Sequence, residues 1–397
     1  MSPTQTLTES GLQRRIKLHL HAKPQLFFAV CAVGFESILE QEIRGLKEAI
    51  IVQVVDGGVE FSGPFHLIYE ANLVLRTAVR VLLRIQTFVA CSYPELFNKS
   101  CRIAWERYAG LKPLLGFECS ANTSRLHHTD NIIKTVYDAI KEIYGDFGIN
   151  PNQSDMPDTS FYIRMSRDQC TISLDSSGEL LYKRGWREAI GHAPIRESLA
   201  SAILGYAECR KFSRIVDPFC GSGTFCIEAI HSLIHHAPGL NRKFAFEKWP
   251  SFQEARYHYG QKKIASQEMT ASAVSVVGSD ISKAAIQAAG ENGQRAGVSK
   301  WVSFTQSDCV ESLRKNGGRD MLVVSNLPYG KRSLDSGEIG PLYRTFGQAM
   351  KDNMKRGSRF ALVVPDESVS DLLKLPVSKL IRFMNGGLPV KLIMGDL

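Results

Sequence analysis

The chain lacks several features that would assign it quickly. Its nine cysteines (31, 91, 101, 119, 170, 209, 220, 226 and 309) are odd in number and contain no Cys-x-x-Cys pair, which excludes a disulfide framework and points to reduced thiols in a cytoplasmic protein. Among its histidines, the neighbours His127-His128 and His235-His236 have neither the i, i+4 spacing nor the carboxylates of a metal site, so no metal is expected. No apolar run reaches the roughly 18 residues of a membrane-spanning helix. The polar opening from Met1 to Pro24 has no apolar segment, and residues 1–25 read as a flexible leader rather than a secretory signal. Charge of one sign is missing from the front half: residues 1–190 hold 21 Lys+Arg and 21 Asp+Glu, so the net +8 lies wholly in residues 191–397. A polyanionic partner would have to meet local patches there. Candidates are Arg76 and Arg80, read with Arg84 as one helix face, and further along Lys262-Lys263 and Lys331-Arg332.

What is present suits a globular chain of two or three domains: 397 residues, 44% hydrophobic and 22% charged. The front half alternates short elements: a strand at 26–32, a helix at 35–45, strands at 50–54 and 58–62, and a helix from Pro64 to about Val81. A strand at 83–89, a helix at 96–108, a strand at 117–122, a helix at 129–144 and strands at 160–167 and 170–175 follow. The back half carries seven apolar strands, at 214–217, 274–280, 301–308, 321–326, 359–365, 379–385 and 389–394, with helical patterns between them. That alternation predicts an α/β fold, a doubly wound, mainly parallel sheet. The helix 195–209 before the first of these strands is expected to pack over the cleft; Arg196, Glu197 and Ser198 either reach a ligand there or, the commoner fate, satisfy their own helix N-terminus.

Two short stretches carry the chemistry. Asp217-Pro218-Phe219-Cys220-Gly221-Ser222-Gly223-Thr224 follows Ile215-Val216 and precedes an apolar helix, so it reads as strand, glycine turn, helix. Gly221 and Gly223 let backbone approach a ligand closely, and the new helix offers free N–H groups to negative charge. A dinucleotide fingerprint would need a third glycine where Cys226 stands, and an acid about 20 residues on. Here the next strand-end acids are Asp280, followed by Ile281, which suits a pair of ribose hydroxyls, and Asp308, followed by Cys309, which suits an adenine amino group. The second stretch, Ser325-Asn326-Leu327-Pro328-Tyr329-Gly330, ends a strand at the sheet edge where α/β proteins bind ligands. The Asn326 oxygen and the carbonyl of Leu327 can grip the two hydrogens of an amine, with Pro328 shaping the turn and the Tyr329 ring offering a stacking face. Cys220 has no base beside it in sequence, so its backbone is expected to matter more than its sulfur.

In that order these residues resemble the class I methyltransferases that use S-adenosylmethionine, among which an Asn/Asp-Pro-Pro-Tyr type motif after the fourth strand marks methylation of nitrogen. Leu327 replaces the first proline, and Asn-Leu-Pro-Tyr forms also occur in adenine-N6 enzymes, so the motif leaves the base open. Further matches extend the resemblance over nearly the whole chain: Ala32-Val33-Gly34-Phe35-Glu36, Gly57 to Gly63, Leu75 to Val81, Ser124 to Thr129, Leu181 to Arg187, Ala237-Pro238-Gly239, Phe244 to Trp249 and Asn385-Gly386-Gly387. The chain is similar to bacterial THUMP-containing RNA guanine-N2 methyltransferases, the RlmL-like family. That likeness implies a ferredoxin-like domain at 26–85, a THUMP RNA-binding domain at 86–178 and a Rossmann-like methyltransferase domain at 179–397. It also implies S-adenosylmethionine as cofactor and a guanine N2 in 23S rRNA as target; separately, the chain is expected to act as a monomer. Methylation of tRNA guanine, methylation of adenine N6, and a non-catalytic RNA-binding role are the other readings.

Overall fold

The computed structural model describes residues 7–188, 195–270, 273–329 and 336–397. After a helix at Glu9–Ile16, the front half runs through β1 (Gln25–Val30), the helix Glu36–Arg44, β2 (Ile50–Val55), β3 (Gly58–Gly63), the helix Leu67–Val74 and β4 (Arg80–Val89). Strand order β2-β3-β1-β4 with two crossover helices is the split ferredoxin-like arrangement. Then come β5 (Leu114–Asn122), β6 (Asn152–Gln153), β7 (Thr159–Ser166) and β8 (Gln169–Asp175). Because β4 pairs with β8 antiparallel, the sheet continues as β4-β8-β7-β5-β6, and one eight-stranded sheet spans both front units.

Three expectations fail here for identifiable reasons. The leader is a docked helix from Glu9: Thr8 caps it by accepting from Gly11 N–H at 3.2 Å, and Leu12, Ile16 and Leu20, four residues apart, are buried in the front core. The helix from Pro64 stops at Val74. Glu42, on the preceding helix, accepts from the Arg76 and Thr77 N–H groups and from the Thr77 hydroxyl, so those donors turn away from a helix. Val79 N–H then donates to Val30 at 2.7 Å, and β4 begins. The helix expected at 96–108 divides into Tyr93–Ser100 and Glu106–Ala109, because buried Trp105 donates its indole N–H to the Ser100 carbonyl at 3.0 Å across the break.

The back half holds β9 (Arg214–Asp217), β10 (Ser275–Asp280), β11 (Val302–Gln306), β12 (Met321–Asn326), β13 (Arg359–Val364), β14 (Lys379–Asn385) and β15 (Leu388–Asp396), in the order β11-β10-β9-β12-β13-β15-β14. The first five are parallel; β15 runs antiparallel to both its neighbours. Side chains alternate between two cores. Ile215, Leu322, Val324, Ala361 and Val363 face the layer of helices Glu197–Tyr206 and Thr224–Leu233, while Val216, Met321, Val323, Phe360 and Leu362 face the layer of Tyr343, Phe346 and Leu313. Strands buried on both faces read as continuous apolar runs, which is why the sequence located them.

The two halves share side chains. Phe244, Phe246, Trp249 and Tyr257, from the insertion after β9's helix, lie in the front-half core beside Phe65 and Tyr69. In the other direction Phe35 packs edge-on against Tyr206 and against Phe383 of β14, at 5.8 and 5.2 Å between centroids.

Candidate functional site

Parallel strands deliver their carboxyl ends to one edge of the back sheet, and Asp217, Asp280 and Asn326 each end a strand there. Asp217 is 2% exposed and accepts from Ser325 Oγ at 2.6 Å and from Phe219 N–H at 3.2 Å. Burial pushes its carboxyl up to about 7; the Ser325 and Phe219 bonds pull it down and the Asp280 charge adds to the rise. The Ser325 bond is important for geometry, since it ties the root of the Asn326 loop to the root of the glycine turn.

In that turn, Cys220 N–H donates to Ser279 O at 2.9 Å and Gly221 N–H to Asp280 Oδ2 at 3.0 Å. Gly221 and Gly223 have φ of +51° and +85°. A Cβ at Gly223 would sit 2.9 Å from the Phe304 ring, whereas one at Gly221 would meet nothing within 4 Å, so that side of the turn faces open space. The Cys220 thiol is buried and pushed well above its usual range by that burial, with Cys226 and Asp217 adding to the rise. The thiol reaches only the Gly221 carbonyl, at 3.8 Å, so the backbone N–H makes the closer bond. Phe219 packs edge-on against Phe346 at 5.1 Å behind Pro218. Thr224 opens the helix Thr224–Leu233, and its hydroxyl accepts from Arg187. Arg187 also pairs with buried Glu197 at 3.2 Å, so that carboxylate is satisfied at the start of its own helix, the commoner of the two expected fates. Arg196 lies over the Tyr182 ring, 4.9 Å from its centroid, and Ser198 is buried.

Asp280 accepts one bond on each oxygen, from Gly221 N–H and from Ser282 N–H at 2.9 Å. A carboxylate oxygen has two lone-pair directions, so each retains one. Ile281 beside it is 75% exposed, an apolar surface held out at the edge. Asp308 caps the helix Cys309–Asn316, with Oδ1 accepting from Val310 and Glu311 N–H at 2.9 Å each. Cys309 lies buried behind it, its thiol pushed up to about 11 by that burial, with the Asp308 charge adding.

Leu327 continues the pairing of β12, donating its N–H to Val363 O at 3.1 Å, while its side chain is fully buried. A proline there could not donate, so the departure from the Pro-Pro form is matched to this strand end. The Pro328 carbonyl accepts from Tyr343 Oη at 2.6 Å, and the Tyr329 hydroxyl accepts from Asn385 Nδ2 at 3.3 Å. Ser325, Tyr343 and Asn385 were not singled out from sequence as site residues; of these only Asn385 carried a signal, its Asn-Gly-Gly turn.

The basic candidates divide. Arg76 and Arg80 do not share a helix face. Arg76 follows a helix and donates to the His231 and His236 carbonyls, and Arg80 opens β4 and pairs with Asp175. Arg84 pairs with Glu60 at 3.1 Å. These guanidiniums are held in internal bonds, which corrects their reading as a surface patch. Lys262 and Lys263 are exposed, and Lys331 and Arg332 lie outside the described residues.

Among the described residues, no helix is long and apolar enough to cross a membrane. The family of RMKL-like methyltransferase domains matches residues 184–392, and that of RlmL ferredoxin-like domains matches residues 26–82. A putative RNA methyltransferase of Synechocystis, slr0064, is 30% identical over 377 residues, covering 94% of this chain and 96% of its own length. The ribosomal RNA large subunit methyltransferase K/L of Colwellia psychrerythraea is 30% identical over 385 residues, covering 94% of this chain but 53% of that protein, so this chain spans about half the length of that relative. The crystal structure of SMU.472, a putative methyltransferase complexed with SAH, has a TM-score of 0.85 at 29% identity, covering 94% of this chain and 98% of the other.

Proposed function

This chain belongs to the RMKL-like methyltransferase family, and from that membership we propose that it methylates the exocyclic N2 of a guanine in large-subunit ribosomal RNA. S-adenosylmethionine supplies an electrophilic methyl group when bound. The residues fit it: Asp280 has two lone pairs for the ribose hydroxyls, Ile281 an apolar face for the adenine, and Asp308 its Oδ2 for the adenine amino group. The open side of Gly221 leaves room for the remainder beside a helix N-terminus.

A single observation supports the rest. The Ser325–Asp217 bond joins the cofactor turn to the Asn326 loop, so a base gripped by that loop lies next to the methyl donor. The Asn326 oxygen and the Leu327 carbonyl accept the two hydrogens of guanine N2. They favour pyramidal nitrogen, free its lone pair from the ring, and aim it in line with the methyl. Tyr329 stacks under the base, and the proton leaves to water. A paired base must be flipped to enter, at a cost of about a few kcal/mol, and front-half contacts to RNA offset it.

The test is nucleoside mass spectrometry of ribosomal and transfer RNA from cells with and without the gene, with purified protein and radiolabelled cofactor on 23S transcripts. N2-methylguanosine in large-subunit RNA is expected. N6-methyladenosine would overturn the base, and methylation confined to transfer RNA would overturn the substrate.

A further inference from the structure

The Asn326–Tyr329 loop has a neighbour from the far side of the sheet. β13 pairs Val364 with Lys391 of β15, and β15 pairs Leu388 with Asn385 of β14, so the turn joining β14 to β15 comes up at the same edge as the carboxyl ends of β12 and β13. Gly386 and Gly387 have φ of +58° and +86°, the two successive positive values of a tight two-residue hairpin turn. A Cβ on either glycine would meet nothing within 4 Å, so they serve the turn and not packing. The turn fixes the last residue of β14, Asn385, against the loop.

The Asn385 side chain is buried at 5% exposure. Its Nδ2 donates to the Tyr329 hydroxyl at 3.3 Å, while Oδ1, equally buried, meets no hydrogen-bond partner among the described residues. Holding a hairpin in place accounts for the first atom and not for the second. A buried amide oxygen without a partner is unfavourable, and such groups persist where a ligand supplies the partner. This one belongs to the amide that bonds the hydroxyl of Tyr329, the ring proposed above to stack on the target base.

We infer that Asn385 is a specificity-determining residue for the base: Nδ2 orients Tyr329, and Oδ1 accepts the N1–H of guanine. The inference rests on the guanine reading above. Guanine N1 carries a hydrogen next to the amine gripped by Asn326; adenine N1 carries none and presents a lone pair to the same oxygen. A site built to bond a hydrogen rejects the base that lacks it, because its own polar group is then left unpaired.

The experiment uses the full chain and synthetic RNA fragments spanning the methylated nucleotide, with guanine or 2,6-diaminopurine at that position. Diaminopurine keeps the 2-amino group and loses N1–H. In single turnover the parent is expected to prefer guanine by about tenfold to a hundredfold, the range of one such bond. Asn385→Ala loses that preference while S-adenosylhomocysteine affinity, read by calorimetry, is unchanged. Asn385→Asp, nearly isosteric and still an acceptor, keeps the preference, and so does Tyr329→Phe, which removes only the hydroxyl. Full preference retained in Asn385→Ala, or lost in a folded Asn385→Asp, overturns the inference while the guanine reading stands. A parent enzyme that methylates adenine in place of guanine overturns both.

Discussion

Asp217 is held almost without solvent although its carboxyl accepts two hydrogen bonds, and burial raises it from 3.8 to about 7. Between those values the native protein retains a proton that the unfolded chain has released, so this group's contribution to stability declines as pH rises through that window. Asp217→Asn accepts the same two bonds without a charge. The variant is expected to match the parent in denaturant only below about pH 4, to exceed it increasingly as pH rises to about 7, and to hold a constant advantage above that. A constant difference across the whole range would show that the carboxyl does not titrate there. The other site residues divide by role. Asp280→Ala removes acceptors for ligand hydroxyls and the brace on Gly221, so cofactor affinity is expected to fall up to about a hundredfold. On the proposed mechanism Asn326 acts on the developing charge at nitrogen, so Asn326→Ala is expected to leave affinity intact while lowering turnover by about 10²–10³. Calorimetry and single-turnover rates separate the two; an Asn326→Ala variant with full turnover would remove that side chain from the reaction. All three residues were legible in the sequence because each ends a run of apolar strand residues. Ser325 was not, because what distinguishes it from any strand serine is a bond to a residue 108 positions earlier.

At the scale of elements, the helix Thr224–Leu233 has two duties. Its first residues close the cofactor turn, and its middle carries Glu228, 1% exposed, which meets Arg184 at 3.5 Å and Arg76 at 3.7 Å and accepts from Ser201. Burial pushes the Glu228 carboxyl up, but the charges of Arg184 and Arg76 outweigh it and hold the group below its ordinary range. Removing the carboxylate alone strands two buried guanidiniums, and breaking a buried pair in this way costs about 3–5 kcal/mol. Glu228→Ala is therefore expected to unfold at markedly lower denaturant than the parent, with Glu228→Gln between them. Equal midpoints for Glu228→Ala and parent would show that the pairs contribute nothing net. The same contacts explain the misread helix. Arg76, Arg80 and Arg84 are four residues apart, a spacing that fits a helix face on paper. The deciding bonds come from Glu42, 34 and 35 positions upstream. Local periodicity contains no information about such a partner.

Across the whole molecule, these bonds also decide how RNA capture can be examined. Removing the front half would strip Glu228 of Arg76 and uncover Phe244, Phe246, Trp249 and Tyr257, so a truncated catalytic half is a damaged protein and not a clean control. Point changes on the front surface are the better probe. With Arg76, Arg80 and Arg84 held internally and no net charge in residues 1–190, phosphate contact by the front half calls for a local cluster of exposed cations. The end of the front sheet provides one: Arg167 N–H donates to Asn122 O, and Arg125 N–H to Asp168, so the two loops at 122–128 and 167–168 meet. Arg125, whose guanidinium meets Asp168 at 3.6 Å, and Arg167 are both exposed there, beside His127 and His128, whose tilted rings lie 4.1 Å apart. If this end grips RNA, Arg125→Ala and Arg167→Ala each remove a phosphate contact. Each is expected to weaken binding of a 23S fragment regardless of its target base, and to flatten the dependence of log affinity on log salt by about 0.7–0.9. S-adenosylhomocysteine affinity and melting temperature are expected to be unchanged. Filter binding across a salt series checks it, and a slope identical to the parent's in both variants would move the RNA contact to the basic back half.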